Sequence, residues 1–155
     1  MSNRKNGGSY RRGFTLIELL VVIAIIGVLS SIVLASLNSA RGKGNDAKVK
    51  AQLSSIRTAA AVYYDTNASA YTASVMSPAT PPAVCTGAMF TDVPSGMNAY
   101  TGTYAAWPTG TILSCQATAS AYAVSASIST GFWCVDSTGV FKTEAASLVS
   151  GNTSC

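Results

Sequence analysis

The residues able to do chemistry in this 155-residue chain are few: six acids, four cysteines and no histidine. The acids are Glu18, Asp46, Asp65, Asp92, Asp136 and Glu144, scattered without the paired spacing that would set a general acid beside a general base. No nucleophile elbow and no phosphate-cradling glycine loop accompanies them. An enzyme is therefore not expected, nor a metal ion, nor a cofactor. The cysteines Cys85, Cys115, Cys134 and Cys155 lack CxxC spacing and have no histidine with which to share a metal. Their even number reads as disulfides formed in an oxidising compartment. Three connectivities are open, of which Cys85 to Cys115 with Cys134 to Cys155 is favoured.

Glu18 is the odd group among the acids, because it lies inside the apolar run FTLIELLVVIAIIGVLSSIVLASL at residues 14–37. As a helix this run would reach about 36 Å, enough to cross a hydrocarbon core of about 30 Å. Arg4, Lys5, Arg11 and Arg12 precede it without an acid among them, whereas the cations that follow are partly offset by Asp46. That asymmetry keeps the N-terminus in the cytoplasm and sends the C-terminal part outside. It also accounts for the net charge of +4, since the remaining six basic residues balance the six acids. The basic cluster is a topogenic signal, and it gives no argument for nucleic acid, which stays open as a partner. Two readings of the run remain. Val33-Leu34-Ala35 offers a small-residue site of the kind signal peptidase cuts, which would start the mature chain at Ser36. Glu18, for its part, would stand about 6 Å from the start of a helix at Phe14, where the positive helix end favours an acid.

The residues around Glu18 say more. Arg11-Arg12-Gly13-Phe14-Thr15-Leu16-Ile17-Glu18-Leu19 joins a basic leader, a glycine, an aromatic residue, a glutamate four positions later and a continuing apolar run. In that order these resemble the processing motif of type IV prepilins and of the pseudopilins of type II secretion. The resemblance implies that a prepilin peptidase cuts between Gly13 and Phe14 and methylates the new amine of Phe14. It implies that Glu18 then neutralises the N-terminal amine of a neighbouring subunit as the helices stack. A paired amine and carboxylate recover much of what each charge would cost alone among apolar helices. The sequence departs from the family pattern in having no proline between residues 14 and 37, only Gly27.

These residues must be positioned by the elements around them. Glycines in Arg41-Gly42-Lys43-Gly44-Asn45 predict a bend or joint after the apolar run. Val49, Leu53, Ile56, Ala60 and Tyr63 then recur at steps of three and four, predicting an amphipathic helix over about 45–64, with Asp46 and Lys50 spaced to pair. Residues 65–110 read as a connecting loop broken by Pro78, Pro81, Pro82, Pro94 and Pro108 and partly pinned by Cys85. Strand character returns over about 111–142: alternating Tyr122, Val124, Ala126 and Ile128, then a hairpin whose turn is Asp136-Ser137-Thr138-Gly139. A C-terminal tail follows. Tyr63, Tyr64, Tyr71, Tyr100, Tyr104, Tyr122, Trp107 and Trp133 read as core and loop packing, since no basic stripe accompanies them.

The expected fold is α+β and pilin-like, a long N-terminal helix packed on a small C-terminal antiparallel sheet. Its parts are a cytoplasmic leader (1–13), a membrane and assembly helix (14–37) and an exported domain (38–155). The expected function is that of a structural subunit of a type IV pilus or pseudopilus, held first in the cytoplasmic membrane and then in a periplasmic or cell-surface filament. Its partners would be copies of itself or other pilins, prepilin peptidase, the membrane platform of the assembly machinery and membrane lipid. The alternative is a single-pass or secreted binding protein that forms no filament.

Overall fold

A computed structural model describes residues 13–71, 74–79, 85–102 and 105–155. The leader cations Arg4, Lys5, Arg11 and Arg12, together with Pro81, Pro82 and Tyr104, lie outside the described residues. The chain divides into two compact units, Met1–Ala40 and Arg41–Cys155.

Helix α1 (Leu16–Thr66) is continuous over 51 residues. In the first unit its apolar side chains are exposed, from Leu16 at 86% to Val22 at 46%, and an 18-residue window of mean hydropathy 2.8 is long and apolar enough to cross a membrane. Ser31 returns its hydroxyl to the Val28 carbonyl at 2.7 Å, so this polar group is satisfied within the helix itself. The joint expected at Gly42 and Gly44 does not interrupt the helix. Glycine costs about 1 kcal/mol relative to alanine at each position. That penalty falls between long stretches of good helix formers, and a packed turn at Val49 follows directly.

In the second unit, Val49, Leu53, Ile56, Ala60 and Tyr63 are buried, joined by Ala59 on the same face. They pack under a five-stranded antiparallel sheet in the order β1-β2-β3-β4-β5, made of β1 (Ser74–Ala79), β2 (Leu113–Ala117), β3 (Tyr122–Ile128), β4 (Gly131–Asp136) and β5 (Phe141–Glu144). The period of two is visible in what each face covers. Leu113, Cys115, Ala117, Tyr122, Val124, Ala126 and Val135 join the helix in the main core. Ala123 and Cys134 face away from it and are covered by Leu148 of the C-terminal tail. Small residues on that second face leave room for the tail, which is tied down by the Leu148 amide donating to Ser125 Oγ at 3.3 Å and the Gly151 amide donating to Gln116 Oε1 at 3.1 Å.

The segment 65–110 is more ordered than a connecting loop. It contributes strand β1 and the short helix α2 (Asn98–Thr101). Strand β1 carries Pro78, which cannot donate to a ladder; the strand lies at the sheet edge, and its register to β2 shifts between Met76 and Ala79. Around α2, Met89, Phe90 and Met97 enter the main core, and the Thr101 hydroxyl caps the Met97 carbonyl at 2.9 Å.

The Asp46 to Lys50 pair does not form. Asp46 accepts the Ser129 amide at 2.8 Å and bonds the Ser129 hydroxyl, while the Lys50 ammonium sits 4.3 Å from the ring centre of Trp133. Packing the helix on the β3–β4 turn gives both side chains better partners than each other. The Ser129 hydroxyl, more than any other group, holds the Asp46 carboxyl below its ordinary range.

Candidate assembly segment and pinned tail

Gly13 and Phe14 are exposed and precede the helix, and a side chain at Gly13 would meet no atom within 4 Å. The next residue caps the helix. Thr15 Oγ1 accepts the Glu18 amide at 3.3 Å, and Glu18 Oε2 returns to accept the Thr15 amide at 2.9 Å and the Thr15 hydroxyl at 2.7 Å. This is a capping box, written in the sequence as Thr15-Leu16-Ile17-Glu18, and it satisfies two backbone donors that the first turn of a helix leaves without partners. Reading Glu18 against the helix dipole alone misses Thr15. The signal that would have found it is the threonine three positions ahead of the glutamate.

The box gives Glu18 one committed oxygen. Both Thr15 donors go to Oε2, leaving Oε1 without a partner among the described residues. The geometry thus places a carboxylate one turn inside an apolar helix, held in a fixed rotamer, with an acceptor oxygen to offer to a cation.

Residues 8–34 match the family model described as the prokaryotic N-terminal methylation motif. The match is confined to this N-terminal segment. It is 52% identical over 42 residues to the type IV wide pilus major component PilA4 of Thermus thermophilus, covering 27% of this chain and 32% of that protein. It is 33% identical over 78 residues to type II secretion system core protein G of Klebsiella michiganensis, covering 46% of this chain and 55% of that protein. The matched stretches thus span about a third and about half of the length of these relatives. No solved structure matches the chain.

In the pilin-like second unit the four cysteines form two disulfides. Cys85 is joined to Cys115 of β2, with Cα atoms 6.0 Å apart, and Cys134 of β4 is joined to Cys155, with Cα atoms 5.7 Å apart. The first ties the segment ahead of α2 to the sheet, where the Cys85 amide also donates to the Thr101 carbonyl at 2.9 Å. The second holds the tail over the outer sheet face.

Asp136 is the hub of that attachment, and the sequence presents it only as a turn residue. It is 2% exposed. Its Oδ1 accepts the Thr138 amide at 2.9 Å, the Thr138 hydroxyl at 2.7 Å and the Val140 amide at 3.1 Å, while its Oδ2 accepts the Cys155 amide at 2.9 Å. Burial pushes the carboxyl upward, but the Cys155 amide, the Thr138 hydroxyl and the Val140 and Thr138 amides together outweigh it and hold Asp136 below the ordinary range. Among the described residues no three His, Cys, Asp or Glu side chains converge as metal ligands. Among the described aromatic residues, the Tyr64 and Tyr71 rings lie 4.8 Å apart, Tyr71 and Tyr122 5.0 Å, and the Trp107 indole donates to the Tyr100 carbonyl at 2.8 Å.

Proposed function

We propose that this protein is a structural subunit of a type IV pilus or a related pseudopilus. It is inserted in the cytoplasmic membrane with its N-terminus inside, cut between Gly13 and Phe14, methylated on Phe14 and polymerised through its N-terminal helix. The observation that carries this reading is the segment from Gly13 to Glu18: an exposed glycine before the helix, then a capping box that fixes a carboxylate one turn into an exposed apolar helix. Oligomers in this reading are homopolymers or mixed filaments with other pilins, and the processing partner is a prepilin peptidase.

Cleavage after Gly13 creates an amine at Phe14. Brought into an apolar bundle, that amine and the carboxylate of Glu18 would each carry a heavy desolvation cost, which pairing across subunits offsets. The pairing supports assembly only in the correct stagger, so it sets register. The relatives' printed names, a pilus component and a secretion-system component, support a filament subunit.

Two measurements test this. Mass spectrometry of the mature chain is expected to show an N-methylated Phe14 at its start; a chain beginning at Met1 or Ser36 would overturn the reading. Replacing Glu18 with Gln, which keeps a side-chain oxygen for Thr15 but removes the charge, is expected to leave membrane insertion intact while filament yield drops. Filaments at normal yield from that variant would refute the pairing role.

A further inference from the structure

Two stretches of the second unit carry the asparagine-X-serine pattern of an N-glycan acceptor, Asn67-Ala68-Ser69 and Asn152-Thr153-Ser154. The pattern alone says little in a chain so rich in serine and threonine. The structure separates the two. For a glycan to be attached, the carboxamide nitrogen must be exposed and uncommitted, and the hydroxyl two residues on must stand on the same side.

Asn67 fails the first requirement. Its Nδ2 donates to the Tyr63 carbonyl at 3.0 Å and to Thr66 Oγ1 at 3.2 Å, closing the last turn of α1. Ala68 and Ser69 follow with φ of 55° and 57°, a left-handed exit in which the Ser69 amide is given to the Tyr64 carbonyl at 3.0 Å. Freeing that nitrogen would forfeit both bonds, although the Tyr63 carbonyl keeps the Asn67 amide at 3.0 Å and the Thr66 hydroxyl at 3.1 Å.

Asn152 meets both requirements. It is exposed, and its carboxamide is engaged through oxygen: Oδ1 accepts the Ser154 amide at 3.2 Å and the Ser154 hydroxyl at 3.0 Å. That turn brings the serine hydroxyl to the asparagine side chain and leaves Nδ2 with no acceptor among the described residues. The turn is also held still. On one side the Gly151 amide is bonded to Gln116 Oε1, and on the other Cys155 is fixed by its disulfide to Cys134 and by its amide on Asp136. An open surface depression lined by Ala145, Leu148, Val149 and Ser154 lies beside it.

We infer that Asn152 is an acceptor site for an N-linked glycan transferred from a polyprenyl-diphosphate sugar, and that Asn67 is not. In the transfer, Asn152 Nδ2 attacks the anomeric carbon of the sugar and a carbon–nitrogen bond forms. The bond from that carbon to the phosphate oxygen breaks, the diphosphate leaves with the electron pair, and the amide proton passes to a base of the transferase. The inference rests on the export reading, because the acceptor must reach the compartment in which such a transferase works.

The test is a peptide map by mass spectrometry of the chain isolated from the cells that produce it, read in the same digest as its N-terminus. A hexose-containing increment on the peptide bearing Asn152 is expected, at an occupancy about tenfold or more above that at Asn67, the ratio corresponding to one or two hydrogen bonds that Asn67 would forfeit. The S154A variant is expected to lose the increment, and N67Q to keep it. A bare Asn152, or occupancy at Asn67 equal to or above it, overturns the inference. A methylated Phe14 found together with a bare Asn152 would overturn it alone and leave the filament reading standing.

Discussion

Replacing Asp136 with Asn tests whether one carboxylate holds the tail to the sheet. The substitution keeps the shape of the side chain and removes its charge. With the amide oxygen in the place of Oδ1, the bonds from the Thr138 amide, the Thr138 hydroxyl and the Val140 amide survive as neutral ones. The new NH2 group then faces the Cys155 amide, which the native Oδ2 accepts at 2.9 Å, so two donors meet at a site 2% exposed. Leaving a buried donor unsatisfied costs about 1–3 kcal/mol, and bonds to a charged acceptor are worth about 1 kcal/mol more than neutral ones. A loss of about 2–4 kcal/mol follows, a large share of the roughly 5–15 kcal/mol that a domain has in total.

The pH dependence provides the stricter check. The folded carboxyl of Asp136 is held below its unfolded value, so its stabilisation is complete above the unfolded pKa of about 3.9 and is lost as pH falls through the folded value. Native protein should therefore lose stability on acidification below about pH 4 more steeply than the Asp136→Asn variant. The assay is urea unfolding of the full chain in a neutral detergent, followed by near-ultraviolet circular dichroism at about pH 7 and about pH 3. A gap between the two proteins below about 0.5 kcal/mol near neutrality, or one that widens in acid, would refute the assignment of Asp136 as the tail's anchor.

Three other perturbations have defined outcomes. Leu53→Ala empties a fully buried position beneath the sheet and should lower stability by about 2–5 kcal/mol, read as a drop in urea midpoint at constant slope. Gly131→Ala should cost about 2 kcal/mol or more, because Gly131 has φ of 132° and an added Cβ would stand 2.5 Å from the Glu144 carbonyl oxygen, forcing β5 away from β4; loss of slow-exchanging amides in that hairpin would show it. Removing the first disulfide as Cys85→Ala with Cys115→Ala should cost about 3.6 kcal/mol, given a loop closed across 30 residues, and lower the thermal midpoint without changing the far-ultraviolet spectrum.

What could be read from the sequence was whatever repeats with a period or closes locally. Val49, Leu53, Ile56, Ala60 and Tyr63 are spaced for one helix face, and all five are buried. Asp136-Ser137-Thr138-Gly139 does turn β4 into β5, with Gly139 at φ of 90° supplying the left-handed residue. Strand β1 was hidden because Pro78 removes a ladder donor, and only an edge position and a break in register make it tolerable. Helix α2 was hidden because four residues carry no period; it is held by distant groups such as the Phe90 carbonyl, which accepts the Thr101 hydroxyl. The glycines at 42 and 44 misled because propensity is a local cost, while the continuity of α1 is decided by the turns on either side. At the candidate site Glu18 was legible and Thr15 was not. The glutamate stands out by its charge in an apolar run, whereas the threonine acquires meaning only through the bond between them.

That bond bears on why an apolar helix should carry an acid at all. Sixteen large apolar residues from Phe14 to Leu37 are 46–86% exposed in the single chain. At about 1.5–3 kcal/mol for each side chain fully removed from water, the burial they forgo amounts to some tens of kcal/mol, more than a whole domain's stability. A surface of this length and apolarity suits a lipid or protein environment better than water. In the proposed membrane-anchored precursor lipid would satisfy its side chains, and the Ser31 hydroxyl is satisfied on the Val28 carbonyl, but lipid would offer nothing to the charge on Glu18. Thr15 meets part of that demand by supplying two donors to Oε2. In the proposed filament, a neighbouring helix that brought a cation to Oε1 would meet the rest while keeping the apolar surface covered. Gly27, with no atom within 4 Å of where its Cβ would be, leaves room for such a helix to approach closely. On the proposed reading, the capping box would make the monomer tolerable in a membrane while leaving Glu18 an oxygen for a neighbour. An acid anchored by both oxygens would leave the segment no electrostatic reason to exchange lipid for another subunit.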